Sequence, residues 1–136
     1  MKSHRKFKFR NRHLELGRKT YIVGILNVTP DSFSDGALYL APGKAVEHGL
    51  EMLDSGADII DIGGESTRPG SKSVSPQEEI SRVIPVIVGI RNKKPEVIIS
   101  IDTCKSEVAE EAMKTGADII NDISGLRNSQ KIRDTE

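Results

Sequence analysis

The pentapeptide GADII occurs twice, at residues 56–60 and 116–120. Each copy joins a helix stop to a short apolar run and delivers a polar residue next, Asp61 in the first copy and Asn121 in the second. A glycine closes a helix because it adopts the left-handed conformation without a steric penalty. Two branched apolar residues then suit a buried strand. A helix-to-strand junction used twice points to a fold assembled from repeated strand–helix units.

The rest of the chain fits that reading. Residues 6–16 alternate weakly and reach a turn signal at Gly17, Arg18 and Lys19, which predicts a polar β-hairpin feeding the next strand. A strand is expected over 21–26 and a polar loop over 27–36, marked by Pro30 and Gly36. Pro42 can open a helix, since its missing N–H is unpaired there in any case. Ala45, Val46, Leu50 and Leu53 share one face of that helix, and Gly56 ends it. A strand over 58–62 and a glycine-rich loop over 63–71 follow. Ser75, Pro76 and Glu78 form a capping-box pattern, and Ile80, Val83, Ile84, Ile87 and Ile90 continue at helical spacing. Pro85 inside that helix removes one backbone bond and is expected to kink it. A strand over 97–101, a helix over 106–115 with Val108, Ala109, Ala112 and Met113 inward, and a strand over 118–121 complete the pattern.

Strands alternating with helices imply parallel strands joined by right-handed crossovers. The spacing of the two GADII copies covers two such units, which suits a (β/α)8 barrel of the TIM type. A complete barrel of that kind needs about 250 residues. This chain has 136 and four such strands, so the expected fold is the first half of the barrel, about four βα units, preceded by a β-hairpin. The division expected is residues 1–20 for the basic segment and hairpin and 21–136 for the half-barrel.

Composition narrows the function. Twenty Lys and Arg balance twenty Asp and Glu, whereas a general nucleic-acid binder carries a basic surplus. Basic residues do crowd positions 2–19, where Glu15 is the single acid; a solvated edge or an anion-binding arm both accommodate that. No apolar run approaches the ~18 residues of a membrane span, and no apolar signal segment follows the first charges. Cys104 is the only cysteine, which fits a reducing, cytoplasmic setting.

Side chains alternate between the faces of a strand. Asn27, Asp61, Asp102 and Asn121 each follow an apolar run and are read as carboxyl-terminal strand residues, the end at which parallel α/β sheets bind ligands. Polar strand ends can also mark exposed turns, but four in succession favour a site. Two carboxylates and two carboxamides suit a flat heterocycle with adjacent N–H groups, and not a phosphate, which the acids would repel. An anionic group would fall instead to Thr67 and Arg68 on the glycine-rich loop. Asn27 and Asp35 are oxygen ligands of the kind magnesium uses beside a polyphosphate.

The same residues carry a recognisable text. GILNVTPDSFSDG at 24–36 and DIGGESTRPG at 61–70 resemble the two signatures of the dihydropteroate synthase family, and SIDT at 100–103 and INDI at 120–123 resemble its pterin-binding strand ends. The match runs from about residue 21 to 125 and includes a hairpin similar to the family's cap over the barrel base. A corrinoid-linked methyltransferase shares this barrel type, but NVTPDSF favours the synthase. The resemblance implies condensation of p-aminobenzoate with 7,8-dihydropterin-6-ylmethyl diphosphate, by an SN1-type substitution assisted by magnesium. It matches Asn27 to the metal or diphosphate ligand, Thr67 to a substrate contact near the diphosphate, and Asp102 and Asn121 to pterin contacts. Phe33, Asp35, Arg68 and Pro69 match mobile-loop residues around the p-aminobenzoate site, and Asp61 matches an acid of the second signature. Cys104 lies beside the pterin strand as a small packed residue.

Two departures stand out. Ala37 occupies a position where a second glycine is usual. The family's further pterin-binding Asp and Lys and its terminal Arg-x-His have no counterpart in the chain, so the expected site is partial. Non-catalytic pterin binding and a truncated remnant are the alternatives. An open half-barrel would expose Ile25, Ile59 and Ile99 on its inner face and leave two sheet edges. Association, as a homodimer or through the uncovered half-barrel, is therefore expected.

Overall fold

Proline and glycine set the helix ends. The structure, a computed structural model, describes residues 5–9, 12–29, 42–66, 70 and 72–122. It contains β1 (Arg5–Phe9), β2 (Arg12–Leu16), β3 (Val23–Asn27), α1 (Pro42–Asp54), β4 (Ile59–Gly63), α2 (Pro76–Lys93), β5 (Ile98–Asp102), α3 (Ser106–Thr115) and β6 (Ile119–Asn121). Pro42 is the first residue of α1. The first glycine of each GADII copy follows α1 or α3 with a left-handed backbone, φ 115° at Gly56 and 137° at Gly116. Any side chain there would be strained.

Helix α2 starts on Ser75, whose hydroxyl accepts the Glu78 amide at 3.2 Å. The reciprocal half of the box is not made, because the Glu78 carboxylate takes the Arg82 guanidinium at 2.9 Å instead. Glu78 and Glu79 in the first turn and Arg91 and Lys93 in the last complement the helix dipole. Ser75→Ala should cost about 1 kcal/mol, read as a fall of about 3 °C in the melting midpoint; an unchanged midpoint would show that this cap contributes nothing. The helix continues through Pro85 as one element to Lys93.

Strands β3, β4, β5 and β6 pair in that order, all parallel. One face packs under the helices. Leu26, Ile60, Ile62, Ile99 and Ile101 meet Ala45 of α1, Val83, Val86, Ile87 and Ile90 of α2, and Val108, Ala109 and Ala112 of α3. Each large side chain buried this way contributes about 1.5–3 kcal/mol of hydrophobic stabilisation. The opposite face is open at β3, where Val23 is 49% and Ile25 63% exposed.

Ile99 is corrected by this geometry. It faces the helices and is fully buried, and the residue level with Ile59 on the open face is Ile98. Counting back from Asp102, which shares a face with Ser100, gives the same answer. Ile59 is itself buried.

The amino-terminal hairpin is present as expected: Phe9 pairs with Arg12, so the reversal falls before β2, and the turn at Gly17 (φ 99°) leads out of the hairpin toward β3. The hairpin packs at the amino ends of the sheet strands. Arg12 donates to Asp118 at 2.7 Å and to the Pro95 carbonyl, and the Glu15 amide donates to the Tyr21 hydroxyl at 2.9 Å.

The aspartate of GADII performs one task twice. The Asp58 amide donates to the Ile22 carbonyl at 2.7 Å while its carboxylate accepts the Ile22 amide at 2.9 Å. The Asp118 amide donates to the Ile99 carbonyl at 2.7 Å and its carboxylate accepts the Ile99 amide at 3.0 Å. Each aspartate thus clasps the start of its strand to the preceding neighbour. A cation completes each clasp: Lys19 on Asp58, and Arg12 and Arg91 on Asp118.

The two copies are not level in the sheet. Ile59 pairs with Ile98, but Ile119 pairs with Ser100. The second copy therefore stands two residues further toward the carboxyl end, across two strand steps. One residue per strand is the stagger of an eight-stranded barrel with a shear of eight. Among the described residues, no helix is long and apolar enough to cross a membrane.

Candidate functional site

The stagger arranges the polar residues in layers on the open face. Asn27, Gly63, Asp102 and Asn121 are successive ladder partners and form the outermost row. Ile25, Asp61, Ser100 and Ile119 form the row beneath. Asp61 is therefore not the end of its strand, as its sequence position suggested. It sits one layer deeper, and Gly63 takes the outer place. A methyl group built on Gly63 would lie 3.5 Å from an Asp102 carboxylate oxygen and 3.6 Å from the Asn27 carboxamide oxygen. The glycine thus keeps open a small cradle between the two side chains.

Asp61 and Asn121, the residues delivered by the two GADII copies, meet across this face. The Asn121 side-chain carboxamide nitrogen donates to Asp61 Oδ2 at 3.1 Å. The other Asp61 oxygen is buried and has no hydrogen-bond partner among the described residues. A buried acceptor left unpaired costs about 1–3 kcal/mol. A ligand donor would remove that cost.

Asp102 is the acid of the outermost row. Burial, then the charges of Asp61, Glu79 and Asp122, raise its pKa from 3.8 to about 6. Among the described residues no cation compensates its ionised form, and N–H donors from a ligand would supply such stabilisation. The two layers together offer carboxylate acceptors at Asp61 and Asp102 and mixed donors and acceptors at Asn27 and Asn121.

A second cluster lies behind the row and was not anticipated from the sequence. Lys105 donates to the Glu65 carboxylate and to Glu79 Oε1, the latter at 3.0 Å. Glu79 Oε2 accepts the Thr103 hydroxyl at 2.5 Å, and that hydroxyl oxygen accepts the Lys105 amide at 3.1 Å. Burial opposes ionisation of Glu65, but Lys105 and the Val74 amide prevail and hold its pKa below 4.5. Burial likewise opposes the Lys105 charge, and its hydrogen bonds to Glu65 and Glu79 outweigh it, raising the pKa above 10.5. Arg82 reaches the Gly64 carbonyl at 2.9 Å. A methyl group on Gly64 would stand 2.9 Å from Val83 and 3.0 Å from Glu79, so glycine permits this close approach to α2. The signal for the cluster was weak because its members are separated by up to 40 residues.

Phe33, Asp35, Thr67, Arg68 and Pro69 lie outside the described residues. Among the described residues, no three His, Cys, Asp or Glu side chains converge on a metal position. The only cysteine, Cys104, is a half-buried free thiol. A cavity of about 740 Å³ lies at the other end of the strands, lined by Arg12, His13, Arg91, Glu96, Ile98 and Gly116 among others. Both its guanidiniums are already engaged by Asp118 and by backbone carbonyls. The polar row is therefore the better ligand site.

The fold and the row define an α/β half-barrel with its polar layers at the carboxyl ends of parallel strands. Residues 23–135 match the family described as pterin binding enzyme, and the chain belongs to that family. It is 59% identical over 119 residues to a dihydropteroate synthase of Bacillus subtilis, an alignment covering 88% of this chain and 41% of the relative. It superposes with a TM-score of 0.87 on Xanthomonas albilineans dihydropteroate synthase with 4-aminobenzoic acid, at 44% identity, covering 98% of this chain and 48% of that one. A Clostridium difficile dihydropteroate synthase in the presence of pteroic acid gives 0.81 at 52% identity, covering 88% and 45%. The chain thus spans under half the length of these relatives. Its parallel sheet is the first half of their TIM-type barrel.

Proposed function

We propose that this chain provides the amino-terminal half of a dihydropteroate synthase site, which joins p-aminobenzoate to 7,8-dihydropterin-6-ylmethyl diphosphate. The observation that carries the reading is the polar row above a buried Asp61 oxygen that has no partner among the described residues, in a chain of the pterin-binding family. Asp102 and Asp61 would accept N–H donors of the pterin edge, and Asn121 would align the ring beside them. Thr67 contacts the substrate near its diphosphate. Phe33, Asp35, Arg68 and Pro69 shape the p-aminobenzoate site and shelter the cation left when the carbon–oxygen bond to diphosphate breaks. The aromatic amine then forms the new carbon–nitrogen bond and loses a proton.

Asn27 fits magnesium brought in with the diphosphate, because its carboxamide oxygen borders the open Gly63 cradle, and this ion typically combines one or two protein oxygens with substrate phosphates. Magnesium would neutralise negative charge on the departing diphosphate. The reaction also calls for the second half of the barrel. Covering the exposed Val23 and Ile25 by that half, or by another copy, belongs to the same reading, as does a cytoplasmic setting with small-molecule substrates.

Incorporation of p-aminobenzoate tests it, using the chain alone and mixed with the carboxyl-terminal half of the Bacillus subtilis relative. Product only from the mixture is expected. Pterin binding without product from either sample would make the chain a non-catalytic pterin-binding module. Absence of both product and pterin binding would refute the reading, and product from the chain alone would refute the need for a second half.

A further inference from the structure

The cluster behind the polar row joins three separate parts of the chain. Glu65 follows β4, Glu79 lies in the first turn of α2, and Thr103 and Lys105 lie between β5 and α3. The Glu65 carboxylate that receives Lys105 also accepts the Val74 amide at 3.2 Å. One side chain thus ties the two ends of the 65–74 segment together, and one lysine ties that side chain to β5. From the helix side, Arg82 holds the Gly64 carbonyl at 2.9 Å.

Glu79 is the foundation of this arrangement. It is 2% exposed, and both its oxygens are used, one by Lys105 and one by Thr103. A buried ion pair brings little or no net stability compared with apolar packing of the same volume. What it imposes is geometry, since any displacement leaves a charge unpaired. The geometry imposed here is that of Glu65 and Val74, on either side of Thr67, Arg68 and Pro69 in the sequence. Thr103 directly follows Asp102, and its amide donates to the Asn121 carbonyl at 3.1 Å, so the same cluster adjoins the pterin row.

We propose that Lys105, seated on Glu79, is a positioning residue that fixes Glu65 and Val74, the two ends of the 65–74 segment, relative to the polar row, and so influences the place of the p-aminobenzoate arm without touching it. This rests on the functional reading above for what the segment contacts. The placement of the segment itself does not.

The test uses the full chain and its Lys105→Met and Lys105→Arg variants, with two readouts. The first is hydrogen exchange at the Val74 amide, compared with the Ile99 and Ile120 amides of the sheet. Loss of a charge-assisted hydrogen bond should speed Val74 exchange about tenfold in Lys105→Met, with the sheet amides unchanged and Lys105→Arg close to the unaltered chain. The second is calorimetric affinity for pteroic acid, which carries the p-aminobenzoyl arm, against 6-hydroxymethylpterin, which does not. Lys105→Met should weaken pteroic acid by about tenfold and leave 6-hydroxymethylpterin unaffected. If Lys105→Met does not fold, Glu65→Gln, which keeps an acceptor for Val74 but removes the ion pair, should give the same split.

Unchanged Val74 exchange, or equal loss of both ligands, would overturn the proposal. If the unaltered chain binds neither ligand, the functional reading fails, and the exchange result alone decides whether Lys105 positions the segment.

Discussion

Replacing Asp102 by asparagine is expected to make the folded chain more stable at neutral pH while removing most of its affinity for a pterin. Burial, Asp61, Glu79 and Asp122 raise the Asp102 pKa from 3.8 to about 6. The folded chain therefore holds this proton more tightly than the unfolded chain. The stabilising contribution of the protonated group is complete below pH 3.8 and is lost as pH rises through about 6. At pH 7 the ionised carboxylate is a net cost. With allowance for its partial exposure, that cost is about 1 kcal/mol, or about 3 °C in the melting midpoint. Asp102→Asn should recover it, with the advantage shrinking as pH falls toward 4.

The cost to binding is larger. A charged acceptor contributes about 1.5–3 kcal/mol per hydrogen bond. An asparagine also turns an N–H toward the ligand's own N–H groups. A loss of about 100-fold in pterin affinity follows. The unaltered chain should bind less tightly as pH drops below 6, and the variant should show a flat profile. Calorimetry at several pH values, with parallel melts, measures both. A lower midpoint for the variant at pH 7, or undiminished affinity, would remove Asp102 from the role assigned to it.

The second large effect concerns the two aspartates of GADII. Asp118→Ala should cost about 3–5 kcal/mol, and Asp58→Ala only about 1 kcal/mol. Both make the same clasp to the neighbouring strand. They differ in surroundings, for the Asp118 side chain is fully buried and that of Asp58 is 26% exposed. Removing Asp118 takes the carboxylate from two guanidiniums, Arg12 and Arg91, leaving them with backbone carbonyls alone, and takes the acceptor from the Ile99 amide. Removing Asp58 leaves Lys19 and the Ile22 amide, which water can solvate. Chemical denaturation of the two variants checks this. Equal losses would show that burial of the second copy does not matter.

These residues also show what the sequence made legible. Strand and helix positions were readable because their causes are local: branched apolar runs, Pro42 and Pro76 at helix starts, and Gly56 and Gly116 at helix ends. The first aspartate of each GADII copy was readable only as part of a turn, although its exact recurrence was a signal that both copies need it. The layer of Asp61 was not readable. It depends on the stagger between strands, which no single strand encodes, so Asp61 and Asn121 looked equivalent and prove to be one layer apart and hydrogen-bonded. The cluster of Glu65, Glu79, Thr103 and Lys105 escaped notice for a related reason. Each member sits in an ordinary polar position, and only the packing of α2 against β4 and β5 unites them.

The central claim is that the polar row receives the N–H edge of a pterin, with Asp102 as its charged acceptor. Carbon-13 NMR of the Asp102 carboxyl group, titrated with and without pteroic acid, tests it most directly. The free chain should titrate near pH 6. In the pteroic acid complex, ligand donors should favour the ionised form and move that midpoint down toward the ordinary aspartate range. A midpoint that stays near 6 or rises when pteroic acid is bound would contradict the account.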